Sequence, residues 1–137
     1  MSANEQTLVM IKPDGVKRHL IGQIIQRFEN KGLIIKEMKT TTLSNELVAE
    51  HYAHLVQKDF FHEVSDFMTS GPSVLMILEG DNVVEMVRTL IGVTNVVKAA
   101  PGTIRGDFGN AAVYHENVIH ASDSIEAAQT EIKRFFS

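Results

Sequence analysis

The spacing of apolar residues along the chain predicts two strands that are buried on both faces. Residues 7–11 (TLVMI) and 73–80 (SVLMILEG) are short, nearly continuous apolar runs rich in strand-forming residues. The first run stops abruptly at Lys12-Pro13-Asp14-Gly15, where proline and glycine interrupt any hydrogen-bonded ladder. Shorter stretches of strand-forming composition at residues 33–38 and 117–120 predict two further strands.

Between these strands, apolar residues recur at helical spacing, which predicts amphipathic helices. The first carries Ile21, Ile24, Ile25 and Phe28 on one face, and the second follows a Ser44-Asn45 cap with Leu47, Val48, Tyr52 and Leu55. The others cover residues 60–68, a stretch that Asp81 or Asn82 opens and that runs to Ile91, and the stretch after Ser124 that includes Ile125, Ala128 and Ile132. Residues 93–116 show no regular period, so we expect a long loop there, and loops of that length in compact domains usually serve a function.

The elements follow the order strand, helix, strand, helices, strand, helix, loop, strand and helix. This order suits an α/β fold of the ferredoxin-like βαββαβ type, an antiparallel sheet covered by helices on one face, with additional elements that include the long loop insertion. No repeat, low-complexity tract or block of like charge marks an internal boundary, and we therefore expect a single domain over residues 1–137.

Composition narrows the class of protein. With 44% hydrophobic and 22% charged residues in a chain of 137, the sequence is typical of a water-soluble folded domain. It contains no cysteine, which excludes a disulfide scaffold, thiolate metal sites and a cysteine nucleophile. The net charge of -4 gives no overall attraction to nucleic acid or anionic lipid, so any positive charge that binds a ligand must be local. No signal-peptide pattern or membrane-spanning run is present, and we expect a cytosolic protein.

Three cations are candidates for binding an anionic ligand. Lys12 directly follows a buried strand, at the carboxyl end where α/β sheets bind ligands, although a lysine leaving a strand is more often simply solvated. Arg105 stands beside glycine in the predicted loop, where its planar fork suits phosphate oxygens. An Arg-Gly-Asp triplet also arises by chance or as an adhesion motif, although a chain without cysteine that we expect inside the cell argues against adhesion. Arg88 lies on a predicted helix, where most arginines face water. The sequence has neither G-x-x-x-x-G-K-[ST] nor G-x-G-x-x-G, which excludes Walker and Rossmann phosphate loops.

His120 is a candidate nucleophile because it stands in an apolar strand just before a polar turn. Most strand histidines are hydrogen-bonded structural residues, so its neighbours matter. Strand alternation predicts Val118 and His120 on one face and Asn117 and Ile119 on the other. The last helix brings Glu131 back towards the end of the strand, and a nucleophilic histidine needs such a carboxylate to orient its ring.

The other histidines are scattered. His51 and His54 stand three residues apart on a predicted helix, a spacing compatible with a metal site, but no HExxH pattern surrounds them. We therefore interpret both as surface residues.

Five short blocks occur in order along the chain. They are Ile11-Lys12-Pro13-Asp14-Gly15, Ser70-Gly71-Pro72, Gly92-x-Thr94-Asn95, Pro101-Gly102-Thr103-Ile104-Arg105-Gly106-Asp107-Phe108 and Asn117-x-x-His120-Ala121-Ser122-Asp123-Ser124. Together they closely resemble nucleoside diphosphate kinases, over essentially the whole chain from Thr7 to Phe136. Five ordered blocks are far more specific than any one of them.

The resemblance implies a ferredoxin-like α/β enzyme that uses Mg²⁺ and a phosphohistidine to move the terminal phosphate of a nucleoside triphosphate onto a nucleoside diphosphate. It implies that His120 attacks through Nδ1, that Glu131 accepts a hydrogen bond from Nε2, and that Ser122 supports Glu131. The residues implied to hold phosphates and ribose are Lys12, Tyr52, Arg88, Thr94, Arg105 and Asn117. Lys12 and Tyr52 also belong to the implied catalytic set. Phe60 is implied to stack on the base. Mg²⁺ is expected to bind mainly through the nucleotide phosphates, with no metal ligand from the protein.

The resemblance also implies the partners and the role of the enzyme. The expected ligands are nucleoside tri- and diphosphates with little discrimination between bases, and the expected role is the maintenance of nucleotide pools. The expected assembly is a homo-oligomer, a hexamer or a tetramer built from dimers, with no membrane and no specific nucleic acid as partner.

The chain departs from the family pattern in three places. The segment 109–116 is slightly longer than the usual spacing, and Val96 stands where proline is common, so we expect altered loop geometry. The chain stops at Ser137, where many relatives continue, and we expect weaker assembly as a result.

A non-catalytic binding module is the alternative, because a fold alone does not fix function. A degenerate relative would be expected to lose His120, Lys12 or Arg105, and all three are present. The net charge and the lack of a basic-aromatic sheet motif argue against nucleic-acid binding. The sequence therefore favours the enzyme.

Overall fold

The protein, described here over residues 5–113 and 116–136 of a computed structural model, forms a four-stranded antiparallel sheet with helices on both faces. In these ranges the strands are β1 (Gln6–Ile11), β2 (Ile34–Thr41), β3 (Ser73–Glu79) and β4 (Ile119–Ala121). The α-helices are α1 (Pro13–Lys17), α2 (Ile21–Asn30), α3 (Asn45–His51), α4 (Phe61–Met68), α5 (Val83–Ile91), α6 (Ile104–Phe108) and α7 (Ile125–Phe136), and Ala53–Leu55 form a short 3₁₀ helix.

The strand order is β2-β3-β1-β4, and each neighbouring pair is antiparallel. This is the ferredoxin-like arrangement that the order of elements predicts. Strand β1 pairs along its whole length with β3 and pairs through its second half with β4, where Met10 lies opposite His120. The end of β1, which leads into Lys12, therefore lies beside the strand that carries the candidate nucleophile.

Both faces of the sheet are covered, so the expectation of helices on one face was wrong. One apolar cluster joins Val9 and Ile11 to Phe28 of α2 and Val87 of α5. The other joins Leu8, Met10 and Leu75 to Val48 of α3, Met68 of α4 and Phe135 of α7. The continuous apolar runs of β1 and β3 explain this, since successive side chains point to opposite faces and each face then needs a cover. None of the helices in the described ranges has the length and apolarity needed to cross a membrane.

Strand β2 differs from the other strands because it is mostly exposed. It forms one edge of the sheet, and its large apolar side chains Ile34 and Met38 are 56% and 52% exposed. It also extends three residues beyond the predicted stretch 33–38, to Thr41.

In the predicted loop over residues 93–116, the described residues include one short helix, α6. The Thr103 side chain accepts a hydrogen bond from the Gly106 N–H and so caps this helix. At Gly106 a Cβ would lie 1.9 Å from the Ala100 carbonyl oxygen, so only glycine fits there. Five residues are too few to show a helical period, which is why the sequence pattern missed α6. Residues 114–115 of the lengthened segment lie outside the described residues, as does Ser137.

The second predicted helix is also shorter than expected. Its start is confirmed, because the Ser44 side chain accepts a hydrogen bond from the Leu47 N–H. It ends at His51, and Tyr52 leads into the 3₁₀ turn instead of continuing the α-helix to Leu55.

Candidate active site

A left-handed turn at Val118 leads into the short strand that presents His120. Val118 has φ 62°, and β4 begins at the next residue. Val118, Ile119 and Ala121 all belong to the apolar cluster with Phe28, whereas His120 lies opposite Met10 on the other face. The prediction that Val118 and His120 share a face was therefore wrong, because alternation starts only at Ile119.

His120 is held by a carboxylate. Its Nε2 lies 2.9 Å from Oε1 of Glu131, and the same oxygen accepts a 2.7 Å hydrogen bond from the Ser122 hydroxyl. Burial opposes ionisation of Glu131, but the hydrogen bonds from His120 and Ser122 prevail and lower its pKa below the ordinary value. Because an ionised carboxylate only accepts, Nε2 carries the proton in a neutral ring and Nδ1 keeps its lone pair.

Lys12 lies at the end of β1 and reaches across to the chain just before β4. Its Nζ donates a 2.8 Å hydrogen bond to Oδ1 of Asn117, and the amide nitrogen of Asn117 donates to the Thr94 carbonyl at 3.3 Å. Burial, together with the nearby Arg105, lowers the pKa of Lys12 to about 8, while Asp14 acts in the opposite direction. Lys12 is thus an enclosed cation and not the solvated lysine of the alternative interpretation.

Arg105 is buried and held by two backbone carbonyls. One terminal nitrogen donates to the Ile119 oxygen at 2.7 Å, and the other donates to the Gly92 oxygen at 3.2 Å. Burial and the neighbouring Arg88 lower the pKa of Arg105 to about 10. Arg88 in turn pairs with Asp123 at 2.7 Å.

These groups surround a cavity of about 270 Å³. Eight of the predicted site residues line it: Lys12, Tyr52, Arg88, Thr94, Arg105, Asn117, His120 and Glu131. Ser122 is fully buried behind Glu131. A wider depression of about 630 Å³ shares Arg88 and Asp123 with this cavity, but its lining includes neither His120 nor Lys12. The chemistry that the sequence predicts is therefore concentrated in the smaller cavity.

Phe60 is a predicted site residue that neither lines this cavity nor, like Ser122, supports a residue that does. It precedes α4, is 47% exposed and is not part of the cavity lining that the described residues form.

His51 belongs to the site, although the sequence pattern suggested a surface residue. Its ring meets that of His120 edge to face, with centroids 4.6 Å apart, and its Nδ1 lies 2.9 Å from a terminal nitrogen of Arg134. Burial lowers the pKa of His51 to about 3, with further contributions from His120 and Arg134. The signal that could have found it is the helical spacing from Val48, three residues earlier on the buried face of α3. His54 is exposed, as expected, although it also lines the cavity.

One cluster in the described part of the chain has three possible metal-ligating side chains. Donor atoms of His51, His120 and Glu131 lie within 4.8 Å of one another. Mg²⁺ prefers oxygen ligands, and this cluster offers two imidazoles and one carboxylate that are already hydrogen-bonded. The donor set therefore does not suit Mg²⁺, whereas the cations that line the cavity suit phosphate oxygens.

Comparisons with known proteins identify the family. The sequence model described as nucleoside diphosphate kinase matches residues 5–137. A nucleoside diphosphate kinase of Acetivibrio thermocellus is 52% identical over 134 residues, covering 96% of this chain and 96% of the relative. One from Archaeoglobus fulgidus is 52% identical over 133 residues, covering 97% of this chain and 87% of the relative. The chain belongs to the nucleoside diphosphate kinase family.

Solved structures of nucleoside diphosphate kinases agree with the fold. The halophilic enzyme of Halobacterium salinarum, solved in complex with CDP, matches with a TM-score of 0.92 and 46% identity, covering 98% of this chain and 88% of that one. The apo enzyme of Encephalitozoon cuniculi matches with a TM-score of 0.91 and 44% identity, covering 96% and 88%. Both the resemblance and the ferredoxin-like fold class are confirmed. The protein is a phosphotransferase that acts between nucleoside tri- and diphosphates, and this family requires a divalent cation.

The environment of His51 predicts that its ring stays neutral at any pH well above 3. Because its pKa is lowered to about 3, the ring remains unprotonated as the pH falls from 8 to about 4. A proton NMR pH titration of the wild type should show no protonation step of the His51 ring itself above about pH 4. In Arg134→Leu, which removes a nearby positive charge, the His51 pKa should rise. A His51 ring that becomes protonated near neutral pH in the wild type would contradict the lowered pKa.

Proposed function

We propose that the chain transfers the γ-phosphate of a nucleoside triphosphate to a nucleoside diphosphate by a ping-pong reaction through a phosphohistidine at His120. The observation that carries this proposal is the His120–Glu131 hydrogen bond in a cavity that also holds Lys12, Arg88 and Arg105. The proposed enzyme is a single nucleoside diphosphate kinase domain over residues 1–137. It acts in the cytoplasm to maintain nucleotide pools, and the absence of cysteine is compatible with that compartment.

The first half-reaction uses the free lone pair of the imidazole. Nδ1 of His120 attacks the γ-phosphorus, an N–P bond forms, the bond to the bridging oxygen breaks and a nucleoside diphosphate leaves. The ring gains positive charge as the bond forms, and the Glu131 carboxylate at Nε2 stabilises that charge. A terminal phosphate oxygen of a second diphosphate then attacks the same phosphorus and regenerates His120.

Fixed positive charge supports this transfer. The equatorial oxygens of a phosphoryl group in transit share its negative charge, so catalysis depends mainly on positioning and electrostatics. Lys12 and Arg105 are already oriented by hydrogen bonds to Asn117 and to two carbonyls, and little reorganisation is needed when the phosphate arrives. Burial, with Glu131 nearby, raises the pKa of Tyr52 to about 12, which keeps its phenol protonated as a hydrogen-bond donor. Thr94 and Asn117 supply further polar groups to phosphate and ribose.

The proposed cofactor is Mg²⁺, held mainly by the phosphate oxygens of the nucleotide. When bound, it neutralises phosphate charge and orients the transferred group. Phe60 lies outside the phosphate cavity and is proposed to stack on the base. Stacking does not read hydrogen-bonding groups, so broad base specificity follows.

The assembly is proposed to be a homo-oligomer, a hexamer or a tetramer built from dimers. Its support is the exposed apolar surface of Ile34 and Met38 on the edge strand β2 and of Val97, 73% exposed, in the segment after α5.

Replacing Ile34 and Met38 by glutamate should reduce the mass of the assembly, because charge would be buried where the edge strands meet. Light scattering over a dilution series measures this, with Gln23→Glu, at an exposed position of α2, as the control. A wild type that is monomeric at every concentration would refute the oligomer.

His120→Ala should abolish phosphate exchange between a nucleoside triphosphate and a different diphosphate, because the covalent path is lost. Brief exposure to triphosphate and Mg²⁺, followed by mass spectrometry, should show one acid-labile phosphate on the wild type and none on the variant. His62→Ala, at an exposed position outside the cavity lining, is the matched control and should be phosphorylated. Substantial phosphate exchange by His120→Ala would contradict the proposal.

Arg105→Lys should lower kcat by on the order of a hundredfold, because a point charge cannot keep both carbonyl contacts and still hold the phosphate as a fork does. Arg27→Lys is the control, since Arg27 also contacts the α6 segment through Asp107 but does not line the cavity. Equal and small losses in the two variants would show that Arg105 does not contact the transferred group.

The pKa of Lys12 predicts an alkaline limit to activity. The ammonium is charged below about pH 8 and loses its charge as the pH rises through that value, so kcat/KM should fall there. In Lys12→Arg the fall should move to higher pH, even if the overall rate is lower, because a guanidinium stays charged. An unchanged alkaline limb in Lys12→Arg would assign it to another group.

A further inference from the structure

The backbone at Val118 is held in a conformation that a β-branched residue rarely adopts. Its φ is 62°, and the Ile119 N–H donates to the Asn117 carbonyl at 2.8 Å, which closes a tight three-residue turn around it. For a residue such as valine the left-handed region costs free energy, so surrounding contacts must enforce it. Val118 is also fully buried, which leaves its backbone groups no access to water.

The segment Lys12-Pro13-Asp14-Gly15 satisfies both backbone polar groups of Val118. The Lys12 N–H donates to the Val118 carbonyl at 2.8 Å, and the Val118 N–H donates to Oδ2 of Asp14 at 3.1 Å. Gly15 lets the two segments approach, because a Cβ there would lie 3.2 Å from the Val118 oxygen and 2.8 Å from Cγ2 of Ile11. The turn is thus held from two sides by one segment.

The turn connects the groups that the proposed reaction uses. Asn117, whose Oδ1 accepts the hydrogen bond from the Lys12 ammonium, immediately precedes Val118. Ile119, whose carbonyl accepts a hydrogen bond from Arg105, immediately follows Val118, and His120 is the next residue. A change in the Val118 conformation would therefore move three parts of the cavity together.

Asp14 has no other place in the proposed mechanism. It is 4% exposed and is not part of the cavity lining that the described residues form. Burial raises its pKa, whereas Lys12 and the Val118 N–H favour the charged form. A buried carboxylate is costly unless it is hydrogen-bonded. In the described part of the chain, Oδ2 of Asp14 accepts from the N–H of the left-handed turn, whereas Oδ1 is buried without a hydrogen-bond partner.

We propose that Asp14 is a positioning residue whose carboxylate holds the left-handed turn at Val118 and thereby sets the places of Asn117 and His120. This inference rests on the proposed function, because it assigns the effect of Asp14 to the phosphorylation of His120. The carboxylate acts as a hydrogen-bond acceptor, and a neutral acceptor of the same shape can replace it.

Two substitutions at Asp14 separate the acceptor from the charge. Asp14→Ala removes the acceptor and should slow single-turnover phosphorylation of His120 by about tenfold or more, since small displacements of reacting groups cost that much. Asp14→Asn keeps a side-chain oxygen for the Val118 N–H and should restore most of the rate. If Asp14→Asn is as slow as Asp14→Ala, the charge matters and the proposal fails. If Asp14→Ala phosphorylates at the wild-type rate, it also fails.

Gly15→Ala tests the same turn without altering Asp14. The added methyl group would lie 2.8 Å from Cγ2 of Ile11 and 3.2 Å from the Val118 carbonyl oxygen, so the chain on either side must shift and phosphorylation should slow as in Asp14→Ala. Gly22→Ala in α2 is the matched control, because a Cβ there meets nothing within 4 Å, and it should keep the wild-type rate. Equal rates in Gly15→Ala and Gly22→Ala would contradict the proposal. These variants also keep it testable if Asp14→Ala does not fold.

Hydrogen exchange gives a readout that does not depend on activity. In Asp14→Ala the Val118 amide should exchange at least about tenfold faster than in the wild type, while the Met76 amide in β3 keeps its protection, because only the turn has lost its acceptor. Asp14→Asn should restore the protection, and Thr7→Val, a buried change at the far end of β1, should leave it unaltered. Unchanged protection of Val118 in Asp14→Ala overturns the inference. A wild type that is never phosphorylated overturns the proposed function, and the exchange result then still decides whether Asp14 holds the turn.

Discussion

The antiparallel pairing of β1 with β4 is the constraint on which the site depends. Three residue pairs, centred on Met10 and His120, bring together two parts of the chain that are more than 100 positions apart. Lys12 follows one strand and Asn117 precedes the other, so the pairing places their side chains within hydrogen-bond distance. Strand β1 is held in turn by its pairing with β3 and by apolar clusters on both faces. The imidazole therefore stands on a strand that is paired directly with the buried strand β1.

The second constraint is electrostatic. A chain with net charge -4 concentrates cations around one small cavity, and burial lowers the pKa of both Lys12 and Arg105. Those depressed pKa values show that holding the cations there costs free energy in the absence of an anion. Hydrogen bonds to Asn117 and to backbone carbonyls offset part of the cost, and a bound polyphosphate would offset more. Glu131 provides the opposite charge, on the far side of the imidazole, where it orients the ring without occupying the phosphate site.

Local patterns predicted much of this structure, because buried strands and helix caps are encoded by adjacent residues. The runs at β1 and β3, the Ser44 cap and the association of His120 with Glu131 are all present. The local patterns failed where a contact between distant parts of the chain determines the backbone conformation or the environment of a side chain. The left-handed backbone at Val118 depends on Asp14, which is distant in sequence, and it reverses the alternation that a strand would have. The spacing from Val48 is compatible with a buried His51, but the hydrogen bond that His51 accepts from Arg134 and its ring contact with His120 are made across the fold.

The resemblance to a family associated residues that the hydrophobic periodicity does not connect. Taken alone, Lys12 and Arg88 are also consistent with solvated cations and the Arg105 triplet with chance, and it is the family resemblance that links the three. The structure supplies the physical reason for their association, since three separate elements deliver them to one cavity. It leaves Phe60 outside that cavity, which fits a residue that meets the base and not the phosphates.

The nitrogen of His120 that carries the phosphorus is the most direct test of the proposed reaction centre. Phosphorylated protein labelled with ¹⁵N in histidine can be examined by NMR for phosphorus–nitrogen coupling. The hydrogen bond from Nε2 to Glu131 predicts that the coupling appears at Nδ1 of His120 and that Nε2 remains protonated. Phosphorus on Nε2, or on another side chain, would contradict the arrangement of His120, Glu131 and the surrounding cations as the centre of the reaction.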